Sequence, residues 1–185
     1  MHTDETLAAA LQRGDTEALE LLVARHYDAL TGYCFRLLHG DRSLAQDMAQ
    51  ETFLRVLRSI DQYSHPRPFK PWLYAIATHL ARDHYNRAET RRTSSLPDVD
   101  ETHAIFIQSD RNDDRLMAQD EAREVIDALS ALPDAQREVL ILYFYQDLPL
   151  MTIAETLDIP LGTVKSRLYH GIARLRERML SDERR

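Results

Sequence analysis

Between Leu148 and Met179 the apolar residues fall on two short arms, each with helical spacing. At 100° per residue, Val164, Leu168, Ile172, Leu175 and Met179 form one narrow stripe. Thr163, Ser166, Arg167, His170 and Arg174 gather opposite it, with Lys165, Tyr169 and Arg176 along one flank. Ahead of this arm, Ile153, Ala154 and Leu157 make a shorter apolar face that stops at Asp158-Ile159-Pro160, where proline forbids continuation and Gly162 opens the next helix. The pattern predicts a helix-turn-helix. Its second helix packs through one stripe and leaves a basic outer face free to enter a major groove, where Arg, Ser, Thr and His meet base edges and phosphates.

The remaining chain also has helical periodicity, with no sustained alternation of β-branched residues. Asp4 to Arg13 predicts a short helix closed by Gly14, and Asp15 caps a second with Leu19, Leu22 and Val23 inward. A third, from about Asp28 to His39, carries Leu30, Tyr33, Cys34, Leu37 and Leu38 and ends at a left-handed Gly40. His26 and His39 have no metal-ligand partners at helical spacing and are expected as partly exposed structural residues. Ser43 to Gln46 forms a capping box for a helix reaching about Ile60. That helix buries Ala45, Met48, Thr52, Phe53, Val56 and Ile60 and turns Asp47, Gln50, Glu51, Leu54, Leu57 and Arg58 the other way. Two leucines among charges are either cover for a neighbouring helix or a partner-binding patch.

Tyr63 to Pro71 holds three prolines and predicts a stiff loop, followed by a helix from Trp72 to about Arg87. Leu73, Ile76, Ala77, Leu80 and His84 are expected inward, and Ala75, Thr78, His79, Arg82, Tyr85 and Asn86 outward. By pattern alone this is a plain amphipathic helix; the stiff loop and polar aromatic face also suit capture of an unstacked base. Residues 89–115 lack an apolar period apart from Ile105-Phe106-Ile107, and predict a flexible acidic linker. From Leu116, Val125, Ile126, Leu129 and Leu132 mark a helix ending at Pro133, and Asp134 to Gln146 a further one with Val139, Leu140, Leu142, Tyr143 and Phe144. The expected fold class is all-α: two small helical domains, 1–88 and 116–185, the second a four-helix unit with the helix-turn-helix.

Charge sharpens this division. The 185 residues carry a formal net charge of −7, but 61–95 hold six basic and three acidic groups, 148–185 seven and five, and 96–147 four and thirteen. Two mildly basic zones flank an acidic one, so the isolated chain should bind nucleic acid weakly. Single Cys34 rules out an internal disulfide framework and a cysteine-rich zinc site. There is no glycine-rich phosphate loop, nucleophile motif or metal cluster, so no catalytic residue, metal site or cofactor is expected. No run of about 18 apolar residues and no signal-peptide pattern occurs, which predicts a cytoplasmic protein without membrane insertion.

Several stretches resemble one family. IPLGTVKSRLYHGIARLRE resembles the promoter-binding helix-turn-helix of extracytoplasmic-function (ECF) sigma factors, the small sigma-70-type initiation subunits of bacterial RNA polymerase. Pro149 and Asp158 stand where that motif often has serine and glycine; aspartate tolerates the left-handed turn better than most residues. LPDAQREVLILYFYQDL is similar to the segment preceding it. DMAQETFLRVLRSI is similar to the segment that docks on the clamp helices of core polymerase, with Leu57 in place of a common tryptophan. FKPWLYAIATHLARDHYNR resembles the segment that reads and melts the minus-ten element, departing at Ala75, Thr78 and His79.

The resemblance implies that Asp47, Gln50, Glu51, Leu54 and Leu57 bind core RNA polymerase. It implies that Phe69, Lys70, Trp72, Thr78, His79, Arg82, Tyr85 and Asn86 engage single-stranded minus-ten DNA. Thr163, Lys165, Ser166, Arg167, Tyr169, His170 and Arg174 would engage the double-stranded minus-thirty-five element. An anti-sigma factor as inhibitory partner and a monomeric free state are further implications. A stand-alone helix-turn-helix regulator would share the C-terminal half but not the two N-terminal motifs.

Overall fold

The computed structural model of the protein describes residues 2–64, 67–94 and 123–182, and among them all regular structure is helical. The Ile105-Phe106-Ile107 patch, most of the expected linker and residues 116–122 lie outside the described residues.

Helix α1 spans Asp4–Gln12, with the Thr3 hydroxyl accepting the Thr6 amide, and Gly14 turns the chain at φ +89°. Helix α2 spans Thr16–Leu37, capped by Asp15 as expected. It is one continuous helix where the sequence predicted two. No glycine or proline interrupts 15–31, and Leu22, His26, Leu30, Tyr33, Cys34 and Leu37 are all buried on a single face. His26 is therefore buried rather than partly exposed, its Nε2 lying 2.7 Å from Asp4 Oδ2.

Helix α3 spans Arg42–Ser59 and begins earlier than the Ser43 box implied, because the Asp41 carboxylate accepts the Leu44 amide at 2.9 Å. Its apolar face is the expected one: Ala45, Met48, Thr52, Phe53, Val56 and the following Ile60 are buried. Helix α4 spans Phe69–Ser94, with Pro71 in its first turn, and so runs into the segment expected as linker.

Residues 123–130 form α5, Asp134–Phe144 α6, Leu150–Leu157 α7 and Leu161–Asp182 α8. The turn between α7 and α8 forms as predicted. Asp158 takes φ 53°, ψ 51°, and the Ile159 amide reaches back to the Ala154 carbonyl at 3.0 Å, which satisfies one of the last carbonyls of α7. Val164 at the start of α8 is fully buried. Further along, α8 crosses α6 at Gly171, so close that a Cβ there would overlap the Leu140 side chain.

The two helical units do not stand apart. Helix α6 lies against α2 and α7 lies against α4, so α4 is covered from both sides. Buried Tyr33, Phe69, Leu73 and Tyr74 on one side and Leu140, Ile141, Leu142 and Ile153 on the other belong to a continuous apolar interior. Each such side chain contributes on the order of 1.5–3 kcal/mol when fully buried.

Candidate nucleic-acid interface

Three surfaces carry the residues singled out in the sequence. The first is the outer side of α8. Leu168, Ile172 and Leu175 are half-buried toward the body, while Lys165, Ser166, His170 and Arg174 are exposed and Thr163 and Arg167 half-exposed. Tyr169, 71% exposed, stands against the His170 ring in an edge arrangement at 5.4 Å. Among the described residues, Lys165, Arg167 and Arg174 have no ion-pair or hydrogen-bond partner, so three cations face solvent uncompensated on one helix. A row of uncompensated cations is the kind of surface that a polyanion can neutralise.

The second is the side of α3 that bears Asp47, Gln50, Leu54 and Leu57. All four are exposed, the leucines at 46% and 40%. No helix among the described residues covers these leucines, so they do not serve as cover for a neighbouring helix there. Glu51, half-buried, lies 3.5 Å from both Arg55 and Arg58.

The third surface, α4, departs from expectation. His79 and Asn86 are exposed as predicted. His79 Nδ1 sits 2.7 Å from the Ala75 carbonyl, which can only accept, so Nδ1 carries a proton and Nε2 is the ring nitrogen left to solvent or a ligand. Phe69 and Thr78 are fully buried and cannot contact DNA in this conformation. Phe69 packs edge-on against Tyr63 and near Trp72 and His26. Thr78 Oγ1 donates to the Tyr74 carbonyl at 2.7 Å and pairs with the Tyr33 hydroxyl at 2.6 Å. His84, expected inward, is exposed. Phe69 is packed by His26, Tyr63 and Trp72, and Thr78 is taken by Tyr33 of α2. With α7 also lying on α4, its buried arc is wider than the single stripe of a one-sided amphipathic helix, although this does not account for the exposure of His84.

The other α4 residues are held. Lys70 Nζ donates to the Gln146 carbonyl at 2.8 Å, and the Tyr74 hydroxyl donates to the Gln146 side-chain oxygen. Tyr85 donates to the Leu37 carbonyl at 2.9 Å; burial pushes its phenol up to about 12. Arg82 forms a two-pronged ion pair with Glu138 of α6, Nε and Nη2 at 2.8 and 2.6 Å from the two carboxylate oxygens. That hydrogen bonding raises the Arg82 pKa further above its usual value, against the opposing effect of partial burial. Trp72, half-buried, helps line a cleft of about 740 Å³ between the units, with Arg55, Arg58 and Arg67 on one wall and Glu155 and Asp158 on the other.

Sequence reasoning missed the α6 pair. Glu138 is 3% and Arg137 1% exposed, although both types are normally at the surface. Arg137 donates from Nε to Leu129 O at 2.9 Å, from Nη2 to Leu132 O at 2.7 Å and from Nη1 to Leu37 O at 3.1 Å, and it approaches His39 Nε2 at 3.1 Å. The only hint in the sequence was two charges adjoining the apolar run Val139–Leu142.

Residues 22–91 match the family model of sigma-70 region 2, and 128–177 that of sigma-70 region 4. The ECF RNA polymerase sigma factor SigW of Bacillus subtilis is 32% identical over 177 residues, covering 91% of this chain and 92% of that one. The RNA polymerase sigma-H factor of Pseudomonas aeruginosa is 32% identical over 175 residues, covering 91% and 89%. A solved structure of CnrH in complex with the cytosolic domain of CnrY superposes with a TM-score of 0.73 at 26% identity, over 97% of this chain and 98% of that one. With both region matches in order and relatives aligned along nine-tenths of its length, the chain belongs to the sigma-70 family of RNA polymerase sigma factors, in its ECF branch.

Proposed function

We propose that the chain directs core RNA polymerase to promoters through three residue sets, contributing binding and strand capture while polymerase performs the chemistry. Residues 1–88 serve as the polymerase-docking and minus-ten unit, 116–185 as the minus-thirty-five unit, and 89–115 as the tether. The observation that carries the reading is the row of uncompensated cations on α8, Lys165, Arg167 and Arg174, beside Thr163, Ser166, Tyr169 and His170. Exposed Leu54 and Leu57, flanked by Asp47, Gln50 and Glu51, support docking on polymerase: apolar centres with polar rims are the common anatomy of a protein interface. Trp72 and His79, with Lys70, Arg82, Tyr85 and Asn86 once freed from their present partners, supply stacking and edge contacts for the minus-ten strand. Two weak DNA readers carried on one enzyme gain affinity through effective concentration.

An inhibitory anti-sigma protein is part of the proposal, supported by the likeness to CnrH, which is bound by the cytosolic domain of CnrY. Such a function is exercised in the cytoplasm, and no helix among the described residues is long and apolar enough to cross a membrane. The test is run-off transcription with purified core polymerase on a genomic promoter library. Arg167→Ala should cut promoter-directed initiation by about 5–150-fold, the range of one base or phosphate contact worth about 1–3 kcal/mol, while core association stays intact. Failure of the parent chain to direct any discrete start site refutes the proposal.

A further inference from the structure

Helix α1 precedes residues 22–91, the stretch matched to sigma-70 region 2. It packs on α2, with Leu7, Ala8 and Leu11 buried and the Asp4 carboxylate meeting Arg25 at 2.9 Å and His26 at 2.7 Å. Glu5 and Gln12, seven residues apart and so on one side of the helix, reach instead to the chain that leads into α4. The Gln12 amide uses both its hydrogens there, Nε2 donating to the Ile60 carbonyl at 2.8 Å and to the Tyr63 carbonyl at 2.6 Å, across the 3₁₀ turn Ile60–Gln62. The Glu5 carboxylate accepts the Phe69 amide at 3.2 Å, a donor that the first turn of α4 cannot satisfy within its own helix. Buried Tyr63 links the two attachments. Its hydroxyl donates to the Arg67 carbonyl, and its ring lies 5.1 Å from that of Trp72 and 5.9 Å from that of Phe69.

Apolar burial seats α1 on the body, but it is non-directional. The hydrogen bonds of Gln12 and Glu5 are directional, and they fall on backbone atoms on both sides of Arg67. Arg67 is exposed and Trp72 half-buried, and both line the cleft that His79 also lines. Side chains that must meet one ligand together have to be held within about 0.5 Å of the productive geometry by the residues behind them. We propose that α1 is the brace of the minus-ten reader: Gln12 and Glu5 are positioning residues that fix Arg67 and Trp72 relative to His79. The base preference of the strand-capturing surface then depends on a helix that carries none of the strand-facing residues. This rests on the reading of α4 as the minus-ten helix, and it adds Arg67 to that surface.

Trp72 is the chain's single tryptophan, so its fluorescence reports the placement directly. In the free full-length chain, Gln12→Met should raise acrylamide quenching of Trp72 about twofold, as a less firmly held segment admits the quencher. Unchanged quenching overturns the brace. Holoenzyme assembled with core polymerase is then titrated with a labelled single-stranded oligonucleotide carrying the minus-ten sequence of a promoter that the parent serves, and with the same oligonucleotide scrambled there. Gln12→Met should lose about tenfold in affinity for the first, the order expected when one or two neutral hydrogen bonds no longer hold the bound geometry, and stay within about twofold on the second. Glu5→Leu should reproduce the loss, and Glu5→Gln, which keeps an acceptor for the Phe69 amide, should not. Equal losses on both oligonucleotides mean general loosening and overturn the brace, as does an unchanged preference in Gln12→Met. Glu5→Gln as impaired as Glu5→Leu also overturns it, because the acceptor is then not what matters. Core association should match the parent's, and a loss there contradicts a role confined to the minus-ten surface. If circular dichroism shows Gln12→Met unfolded, the two Glu5 variants decide, and a parent-like preference in Glu5→Leu refutes the proposal. A parent holoenzyme without any preference fails the minus-ten reading of α4 and with it the promoter role of α1, while Trp72 quenching in the free chain shows separately whether α1 fixes the indole.

Discussion

Arg137 offers the sharpest stability prediction, because a guanidinium 1% exposed donates to three backbone carbonyls at once, and among the described residues the Leu132 carbonyl has no other donor. In Arg137→Met the Leu132 carbonyl loses its donor at 2.7 Å and is orphaned, a loss of about 1–3 kcal/mol. The Leu129 carbonyl keeps the Leu132 amide at 3.1 Å, and the Leu37 carbonyl keeps Tyr85 at 2.9 Å. Each loses one of two donors, about 0.5–1.5 kcal/mol apiece. The pair with Asp134 at 3.0 Å adds little, since that carboxylate is more than half exposed. The total is about 2–6 kcal/mol, a large share of the roughly 5–15 kcal/mol available to a folded domain. At about 2–4 °C per kcal/mol for a chain of this size, Tm should fall by roughly 4–24 °C. Arg137→Lys should fare no better, because a point-charge ammonium cannot span carbonyls on opposite sides of a planar fork. Thermal melts by circular dichroism, with urea titrations for the free energy, make the check. Either variant melting within about 2 °C of the parent refutes the reasoning and means that water or a backbone shift satisfies the Leu132 carbonyl.

Other outcomes follow from the same packing. Gly171→Ala should lower Tm: overpacking against Leu140 costs about 1–3 kcal/mol, more than the about 1 kcal/mol that alanine gains over glycine inside a helix, and a rise in Tm would show that Leu140 repacks freely. Leu54→Asp, placed at an exposed position, should leave Tm within about 2 °C of the parent yet abolish co-elution with core polymerase on gel filtration; retained co-elution removes this patch from the docking surface. Burial raises Cys34 from 9.0 to about 12 and also raises buried Tyr33 and Tyr74, so the folded chain prefers their protonated forms. The stability this represents is complete below pH 9 and is lost as pH rises toward 12; tyrosinate absorbance should therefore appear together with loss of helical signal. Free titration of all tyrosines near pH 10 in a still-helical chain contradicts it. His39 behaves oppositely in sign: desolvation and nearby Arg137 lower its pKa despite Asp134, with Tyr85 edge-on beside it. Acidification below pH 6.5 should thus weaken the α2–α6 contact, read as an increase in scattering radius.

Helix identity, the Asp158 turn and the free faces of α3 and α8 were legible in the chain itself, because periodicity and capping are local and depend on residues within a turn or two of one another. Leu54 and Leu57 could be placed on an outer face by spacing, but only three dimensions showed that nothing covers them. Whether Asp28 begins a helix or sits on the solvent side of a longer one also depended on α2 having a neighbour along its whole length. The largest departures concern α4. A pattern of apolar positions says which residues avoid water; it does not say how many surfaces press on a helix, and while Tyr33 of α2 claimed Thr78, Glu138 of α6 took possession of Arg82. Arg137 and Glu138 were illegible for the same reason: a charge can enter the interior only where partners from distant segments converge on it. Those partners, Leu37 a hundred residues upstream and Arg82 fifty-six, meet them only when the chain has folded.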